Sequence, residues 1–305
     1  MTKYVIKRLI LAAITVFTVA TITFFLMNMV PGGPFLSEKA ISPTAQAALE
    51  AKYGLDKPLH KQYITYISDA LKGDFGDSLK QRGRTVSSII LTKFPVSARV
   101  GGLAILVSLL IGIPLGCLAA LHRGKFLDSL ISVISTCGIA VPSFVICTLL
   151  MYFLGVNLQW LPTFGLTSWK HYVMPVISLS FYPTAYIMRL MRSSLLDVLG
   201  QDYMRTAKAK GLRQFVSLFK HALRNAMLPI ITYIGPMTAY TLTGSFIVEK
   251  IYTIPGLGGE FIGSISSRDY TVIMGTTIFL ATLMVFMNVV VDIVYKIIDP
   301  RIKLK

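Results

Sequence analysis

Long apolar runs separated by polar connections dominate the pattern of this chain. A helix rises about 1.5 Å per residue, so about 20 consecutive apolar residues cross the hydrocarbon core of a bilayer. Six runs are long enough to do so, and they cover about residues 9–30, 96–121, 127–154, 173–189, 228–248 and 271–298. The pattern therefore predicts an all-α integral membrane protein with six transmembrane helices, in which residues 1–305 form one transmembrane domain.

Two polar connections are longer than the others. Residues 31–95 follow the first span, and Tyr63, Tyr66 and Leu71 recur there at helical spacing. We predict a small folded extracytoplasmic insert for this segment, with a plain linker as the alternative. Residues 193–227 lie between the fourth and fifth spans and are predicted to form a cytoplasmic loop.

The distribution of cations predicts the orientation in the membrane. Lys3, Lys7 and Arg8 precede the first span, Arg123 and Lys125 follow the second, and the segment after the fourth span is strongly basic. Short loops rich in Lys and Arg stay in the cytoplasm, whereas loops longer than about 60 residues escape this rule. Both termini are therefore predicted to be cytoplasmic, which agrees with an even number of spans.

The composition supports a membrane protein over a soluble one. The residues are 54% hydrophobic and 14% charged, and the mean hydropathy is +0.65. The net charge of +16 is explained by cytoplasmic loops that face anionic membrane lipid and a protein partner. Nucleic-acid binding is disfavoured, because the basic segments lack the interleaved aromatic residues on which bases stack.

No motif for catalysis, nucleotide binding or metal binding is present in the sequence. The three cysteines lie inside apolar runs, and the four histidines are far apart. No acidic or basic residue lies near the middle of a span, which argues against a proton-coupled carrier. We therefore predict no catalytic residue, no metal and no cofactor. An intramembrane enzyme is strongly disfavoured, while a passive channel or a membrane scaffold remains as an alternative.

The segment 202–229 has the most distinctive pattern of the chain. Asp202 is its only acid and is positioned to cap a short helix, and Gly211 suits the left-handed residue that ends this helix. Its cations are Arg205, Lys208, Lys210, Arg213, Lys220 and Arg224. Charge alone leaves two interpretations open, a docking surface for another protein or a basic helix that lies on anionic lipid.

Several blocks of this sequence resemble one family. Arg205-Thr206-Ala207, three residues and then Gly211 resemble the cytoplasmic Glu-Ala-Ala-x3-Gly loop of ABC importer permeases, with Arg and Thr in place of the first Glu and Ala. DYMRTAKAKGL followed by HALRNAMLP is similar to the oligopeptide/dipeptide permease branch. The blocks YGLDKPL, GDFGDS and IPGLG and a terminal Asp-Pro-Arg also resemble that branch. The resemblance thus covers nearly the whole chain.

The resemblance implies a multi-pass subunit of a bacterial or archaeal cytoplasmic membrane. Its implied partners are a second permease subunit, two ABC ATPase subunits that carry the ATP chemistry, an extracytoplasmic substrate-binding protein and a peptide substrate. A nickel chelate or another small solute is the alternative cargo. The implied ATPase-coupling residues are Asp202, Tyr203, Met204, Arg205, Thr206, Ala207, Lys208, Ala209, Lys210, Gly211 and Leu212.

Two details of the implied site follow. Small residues at positions 207, 209 and 211 would allow close seating on an ATPase, and Tyr203, Met204 and Leu212 would be its apolar anchors. Pro142 and Ser143 in the third span and Asn288 in the sixth are a further hypothesis for residues along the translocation pathway.

Overall fold

The computed structural model describes residues 2–31, 33–35, 43–213, 216–242 and 246–298. Within these ranges helices are the regular secondary structure, and one isolated bridge joins Asp77 to Thr85. This confirms the predicted all-helical architecture. Two compact units are formed, one by residues 1–96 and 255–286 and the other by residues 97–254 and 287–305.

The helices of the described ranges vary widely in length. In chain order they are α1 (Thr2–Met29), α2 (Pro43–Lys52), α3 (Leu59–Leu71), α4 (Val86–Leu121), α5 (Phe126–Ala140), α6 (Ser143–Leu150) with a π-helical extension (Met151–Asn157), α7 (Lys170–Leu199), α8 (Asp202–Ala209), a π-helix (Ser217–Ala222), α9 (Leu223–Ala226), α10 (Leu228–Leu242), α11 (Phe246–Ile251), α12 (Leu257–Ser267) and α13 (Tyr270–Ile298).

In the first unit, the segment before α4 is folded against α12 and α13. The carboxylate of Asp269, the residue before α13, accepts hydrogen bonds from the Leu79 N–H at 3.1 Å and from the Ser78 hydroxyl. Apolar packing adds to these bonds, since Phe35, Leu79, Tyr270 and Ile273 form one buried cluster. These contacts join residues 78 and 79 to the start of α13, while the extracytoplasmic insert stays a prediction.

In the second unit, small residues allow helices to approach α7 closely. A Cβ atom added at Gly112 would lie 2.8 Å from Ile187, and one added at Gly116 would lie 2.6 Å from Met191. Gly138 of α5 faces Ala185 in the same way. Without side chains at these positions the backbones come close enough for extensive van der Waals contact, which is how membrane helices commonly associate.

Three helices of the described ranges are long and apolar enough to cross a membrane, namely Ile6–Met29, Val86–Leu121 and Tyr270–Val291. The pair Phe126–Ala140 and Ser143–Asn157 makes a fourth if it is counted as one span. The predicted span at 173–189 corresponds to α7, which contains Pro175 and Pro183. The predicted span at 228–248 corresponds to α10 and, after the undescribed residues 243–245, to the start of α11.

The third predicted span is broken rather than continuous. Its two helices are bent by 101° at Val141 and Pro142. Proline lacks the N–H that would continue the helix, and it forces the preceding residue into an extended conformation, as the ψ of 122° at Val141 shows.

Two helices extend beyond the spans predicted for them. α4 begins at Val86 rather than near residue 96, because Val86, Ile89 and Ile90 are buried despite their polar neighbours. α7 continues to Leu199, beyond the predicted end at 189.

Candidate functional site

The predicted basic segment begins with helix α8. The carbonyl of Gln201 accepts the N–H groups of Met204 and Arg205 at 3.0 and 3.4 Å, so Gln201 precedes the helix and Asp202 is its first residue. Asp202 is therefore not the cap that the sequence suggested. Its carboxylate lies 3.5 Å from Arg205 Nη1, at the helix end where a negative charge is favourable.

Helix α8 ends in a tight turn at Gly211. The N–H of Leu212 donates to the Ala207 carbonyl at 3.3 Å, and the N–H of Lys210 donates to Thr206 at 3.0 Å. Gly211 has a φ of +73°, which is the left-handed conformation expected from its position. A side chain at this position is strained by the backbone, although no atom lies within 4 Å of the added Cβ.

One face of α8 is buried against its own chain. Met204 and Ala207 are each 8% exposed, and their spacing of three residues places them on the same side of the helix. Met204 packs in a core cluster with Leu195 of α7, Ala222 of the second π-helix and Ala226 of α9. These two side chains are thus removed from the surface that a partner can contact, whereas the sequence alone had assigned them to partner seating.

The remaining surface of α8 is exposed, and we call it the docking face after the role proposed for it below. Tyr203 is 41% exposed and Leu212 is 40% exposed, so both remain available as apolar contacts. Asn225 donates a hydrogen bond to the Tyr203 hydroxyl at 2.9 Å. The side chain of Lys208 lies outside the described residues. The docking face consists of Asp202, Tyr203, Arg205, Thr206, Ala209, Lys210, Gly211 and Leu212.

The buried face of α8 connects the docking face to several helices. The core cluster around Met204 also contains Ala120 at the end of α4 and Ile230 of α10. The Ser194 hydroxyl of α7 donates to the Ala226 carbonyl at 2.9 Å, which joins α7 to α9. Beside these contacts lies a cleft of about 540 Å³, lined by Met204, Arg205 and Leu218 among others. α8 is therefore attached through a few apolar side chains.

An ion pair that the sequence analysis did not assign joins α5 to α7. Arg192 donates from Nε and Nη2 to the two carboxylate oxygens of Asp128, at 2.5 and 2.8 Å. Asp128 is 4% exposed and also accepts the Gly124 N–H at 2.9 Å. A sequence signal existed, because the two opposite charges lie at span ends predicted on the same side of the membrane.

Replacing Arg192 with Leu is expected to lower the free energy of unfolding by about 2–3 kcal/mol, because the buried Asp128 carboxylate loses its partner. The side chain of Arg192 is 32% exposed, which keeps the expected loss below that of a fully buried pair. Thermal unfolding in detergent measures the effect. Arg189→Leu is the matched control, since Arg189 is exposed on the same helix. Adding Asp128→Leu to Arg192→Leu should restore part of the loss; equal stability of the three variants would contradict the prediction.

The pathway residues predicted from the sequence differ in their exposure. Pro142 is exposed and Ser143 is half-buried at the break between α5 and α6, and Asn288 is exposed on α13. No hydrogen bond between the described residues joins Asn288 to either of them. The assignment of these three residues therefore stays a prediction.

Within the same ranges, no group of three or more His, Cys, Asp or Glu residues is arranged to hold a metal ion.

Two family descriptions match this chain over most of its length. Residues 112–304 match the family described as "Binding-protein-dependent transport system inner membrane component". Residues 1–100 match the corresponding amino-terminal family of membrane components.

Curated relatives align over their full length. The dipeptide transport system permease protein DppB of Bacillus subtilis (strain 168) is 46% identical over 304 residues, which cover 100% of this chain and 99% of the relative. The oligopeptide transport system permease protein OppB of Haemophilus influenzae is 41% identical over 305 residues, or 99% of this chain and 100% of the relative.

Solved structures show a similar fold. A chain of the inward-facing MetNI methionine ABC transporter, in its native crystal form, superposes with a TM-score of 0.58. The superposition covers 69% of this chain and 96% of that chain. At 17% identity, this likeness shows the shared fold.

Proposed function

This chain belongs to the family of binding-protein-dependent transport system inner membrane components, and on that basis we propose that it is a membrane-spanning subunit of an ATP-driven peptide importer. The observation that carries the proposal is full-length similarity to DppB and OppB, which are named for dipeptide and oligopeptide transport. These names favour peptides over a nickel chelate or another small solute as cargo.

The proposed topology has six spans, cytoplasmic termini and a cytoplasmic loop at residues 193–227. Residues 31–95 form the extracytoplasmic insert. The charge asymmetry of the loops supports this orientation, because cations concentrate at the termini and around α8. In this arrangement the chain contributes half of a translocation pathway, and a second permease subunit contributes the other half.

The docking face is proposed to seat on one of two ABC ATPase subunits, while an extracytoplasmic binding protein delivers the peptide. The geometry of α8 supports this role. Its exposed face carries two apolar contacts flanked by cations, while buried Met204 attaches it to a core shared with α7 and α10. A displacement of α8 by an ATPase would therefore be passed to those helices, since packed interfaces switch between discrete arrangements.

Affinity purification of the chain from its native membrane tests this function. We expect ABC ATPase chains and a second permease chain to co-purify. After reconstitution into lipid vesicles, ATP hydrolysis should rise when a peptide-loaded binding protein is added. A chain that purifies alone and conducts solute without ATP would instead identify a passive channel.

A further inference from the structure

Helices α7 and α10 of the second unit together carry a line of accessible tyrosines. Tyr182 and Tyr186 are four residues apart in α7 and therefore share one side of that helix. On α10 the exposed positions recur every three or four residues, and Tyr233 adjoins them. We call this set the tyrosine face, and it consists of Tyr182, Tyr186, Thr232, Tyr233, Pro236 and Tyr240.

Ring contacts join the two helices into one surface. The rings of Tyr182 and Tyr186 stack with centroids 6.2 Å apart. The ring centroid of Tyr186 lies 4.3 Å from that of Tyr233 on the neighbouring helix. Tyr240 follows Tyr233 about two helical turns later and therefore lies on the same side of α10. The four tyrosines thus succeed one another along the two helices.

A ligand can reach the hydroxyls of this face. Tyr182 is 45% exposed and Tyr240 is 62% exposed. The side chains of Tyr186 and Tyr233 are half-buried, but their hydroxyls stay accessible. Among the described residues, the hydroxyls of Tyr182, Tyr186 and Tyr233 make no hydrogen bond. Each of them is therefore available to a ligand both as a donor and as an acceptor.

The depth of the tyrosine face argues against contact with lipid. Tyr182 lies about 13 Å from residue 173 and about 10 Å from residue 189, the ends of the fourth span in the proposed topology. Tyr240 lies about 18 Å from the cytoplasmic start of α10 at Leu228. Tyrosines that anchor a protein in lipid lie at the membrane interface, and hydrocarbon offers no partner to a hydroxyl. These hydroxyls therefore require a polar neighbour.

Other exposed faces of this chain have the composition that lipid requires. The exposed residues of α5 include Leu130, Val133 and Ile134, all of them apolar. α7 has 30 residues, yet it is not among the helices that are apolar enough to be counted as spans. This contrast indicates that α7 meets a polar medium on one side, and in a transporter that medium is the pathway of the substrate.

The chemistry of the tyrosine face suits a peptide in transit. Each phenol offers a donor and an acceptor to backbone amides, and its ring offers apolar surface to varied side chains. Pro236 has no N–H, so the Thr232 carbonyl lacks its regular helical donor and is free to accept from a peptide N–H. None of the six residues is charged, so neither peptide terminus is held tightly, and passage requires that the cargo leaves each site again.

We propose that the tyrosine face lines the translocation pathway and contacts the peptide backbone during passage. The inference rests on the proposed function, and it locates this chain's half of the pathway on α7 and α10. Its occupant is the passing peptide. Permanent cover by lipid or by a second permease subunit is the competing arrangement that the experiment rejects or establishes.

Cysteine accessibility in the complete transporter, held in lipid nanodiscs, tests the location. The native cysteines are replaced by Ala, and Tyr182→Cys and Tyr240→Cys are each exposed to a charged methanethiosulfonate. We expect labelling at least about tenfold faster than that of Val133→Cys, because the reactive thiolate forms only where water reaches the thiol. Val133 is the matched control, since it is 60% exposed on the apolar face of α5. Co-purification of the ATPase chains verifies that each variant is assembled.

Contact with the peptide is tested with the photoreactive dipeptide alanyl-benzoylphenylalanine. Illumination during ATP-driven uptake into proteoliposomes should cross-link this dipeptide to α7 or α10. An excess of alanyl-phenylalanine should prevent the cross-link. Digestion and mass spectrometry of the chain identify the helix that carries the label.

Two results would overturn the inference. One is labelling of both cysteines no faster than that of Val133→Cys in an assembled transporter, which would show that lipid or a second permease subunit covers the face. The other is the absence of peptide cross-links from both α7 and α10. Uptake by the wild-type transporter separates this inference from the proposed function: ATP-dependent uptake with unlabelled cysteines rejects the tyrosine face alone, whereas absence of uptake by an intact complex rejects the importer.

Discussion

Replacing Ala209 with Trp should abolish ATP-dependent peptide uptake while leaving the chain folded. Ala209 is exposed on the docking face at the end of α8, and its small side chain permits close approach of a partner. A Trp there separates the two surfaces and removes the contacts of Tyr203 and Leu212 with the partner. Loss of the central contacts of an interface costs about 2 kcal/mol or more of binding free energy. We therefore expect the rate of ATP-dependent peptide uptake to fall by at least about thirtyfold.

The measurement is uptake of labelled peptide by proteoliposomes that contain the complete transporter, together with recovery of the ATPase on affinity purification. Ala209→Ser is the matched control, because it preserves the size of the side chain and should transport normally. The alternative role of α8, as a helix lying on anionic lipid, predicts the opposite result. Trp favours the membrane interface, so uptake would persist and vesicle binding would strengthen.

Buried Ala207 should behave differently from Ala209 although it is two residues away. An Asp at position 207 places a carboxylate in the interior of the second unit, where Ala207 is 8% exposed. The expected consequence is a loss of folded protein, which reduces uptake without reporting on docking. An uptake experiment with a substitution at Ala207 alone therefore cannot separate lost docking from lost folding. A substitution at the exposed Ala209 can.

Gly101→Ala should destabilise the chain by about 3 kcal/mol, at the upper end of the usual cost of overpacking. A Cβ atom at this position would lie 2.9 Å from the carbonyl carbon of Thr241 and 3.2 Å from the Cα of Leu242, and closer still to the Thr241 oxygen. These obstacles are backbone atoms, so no side-chain rotation relieves them. The change must separate α4 from α10, and thermal unfolding in detergent should show a much lower midpoint.

Gly102→Ala is the matched control for this prediction. The adjacent glycine has no atom within 4 Å of an added Cβ. Ala also restricts the unfolded chain and favours a helix, so this variant should be neutral or more stable by up to about 1 kcal/mol. Equal stability of the two variants would contradict the prediction, because it would show that the contact between Gly101 and α10 does not control stability here.

The sequence was sufficient for the helical class, because hydropathy is a local property that a run of residues carries by itself. The apolar run after Arg8 becomes α1, and the final run becomes α13. The turn at Gly211 was predictable for the same reason, since a left-handed φ depends on the residue and its immediate neighbours. Hydropathy predicted the ends of helices less well. α4 begins ten residues before the predicted span, because buried contacts stabilise its polar first turns.

The candidate site was predictable in position but not in orientation. An amphipathic helix of eight residues presents two faces, and nothing in its own sequence says which face packs inward. Met204 is buried in a cluster with Leu195, Ala222 and Ala226, whose approach depends on the path of the intervening chain. Ala207 is buried on the same side of the helix. The sequence places Pro142 inside the third apolar run, but a bend of 101° at this position depends on the packing of α6 against α7.

The sequence by itself determined the membrane class, the family blocks and the location of the basic segment. Composition, periodicity and short-range motifs carry this information, because they depend on residues close together in the chain. Tertiary structure alone decided that Arg192 meets Asp128, that Gly101 faces the backbone of Thr241, and that Tyr186 lies against Tyr233. Each of these pairs is far apart in sequence, and only packing in three dimensions brings its members together.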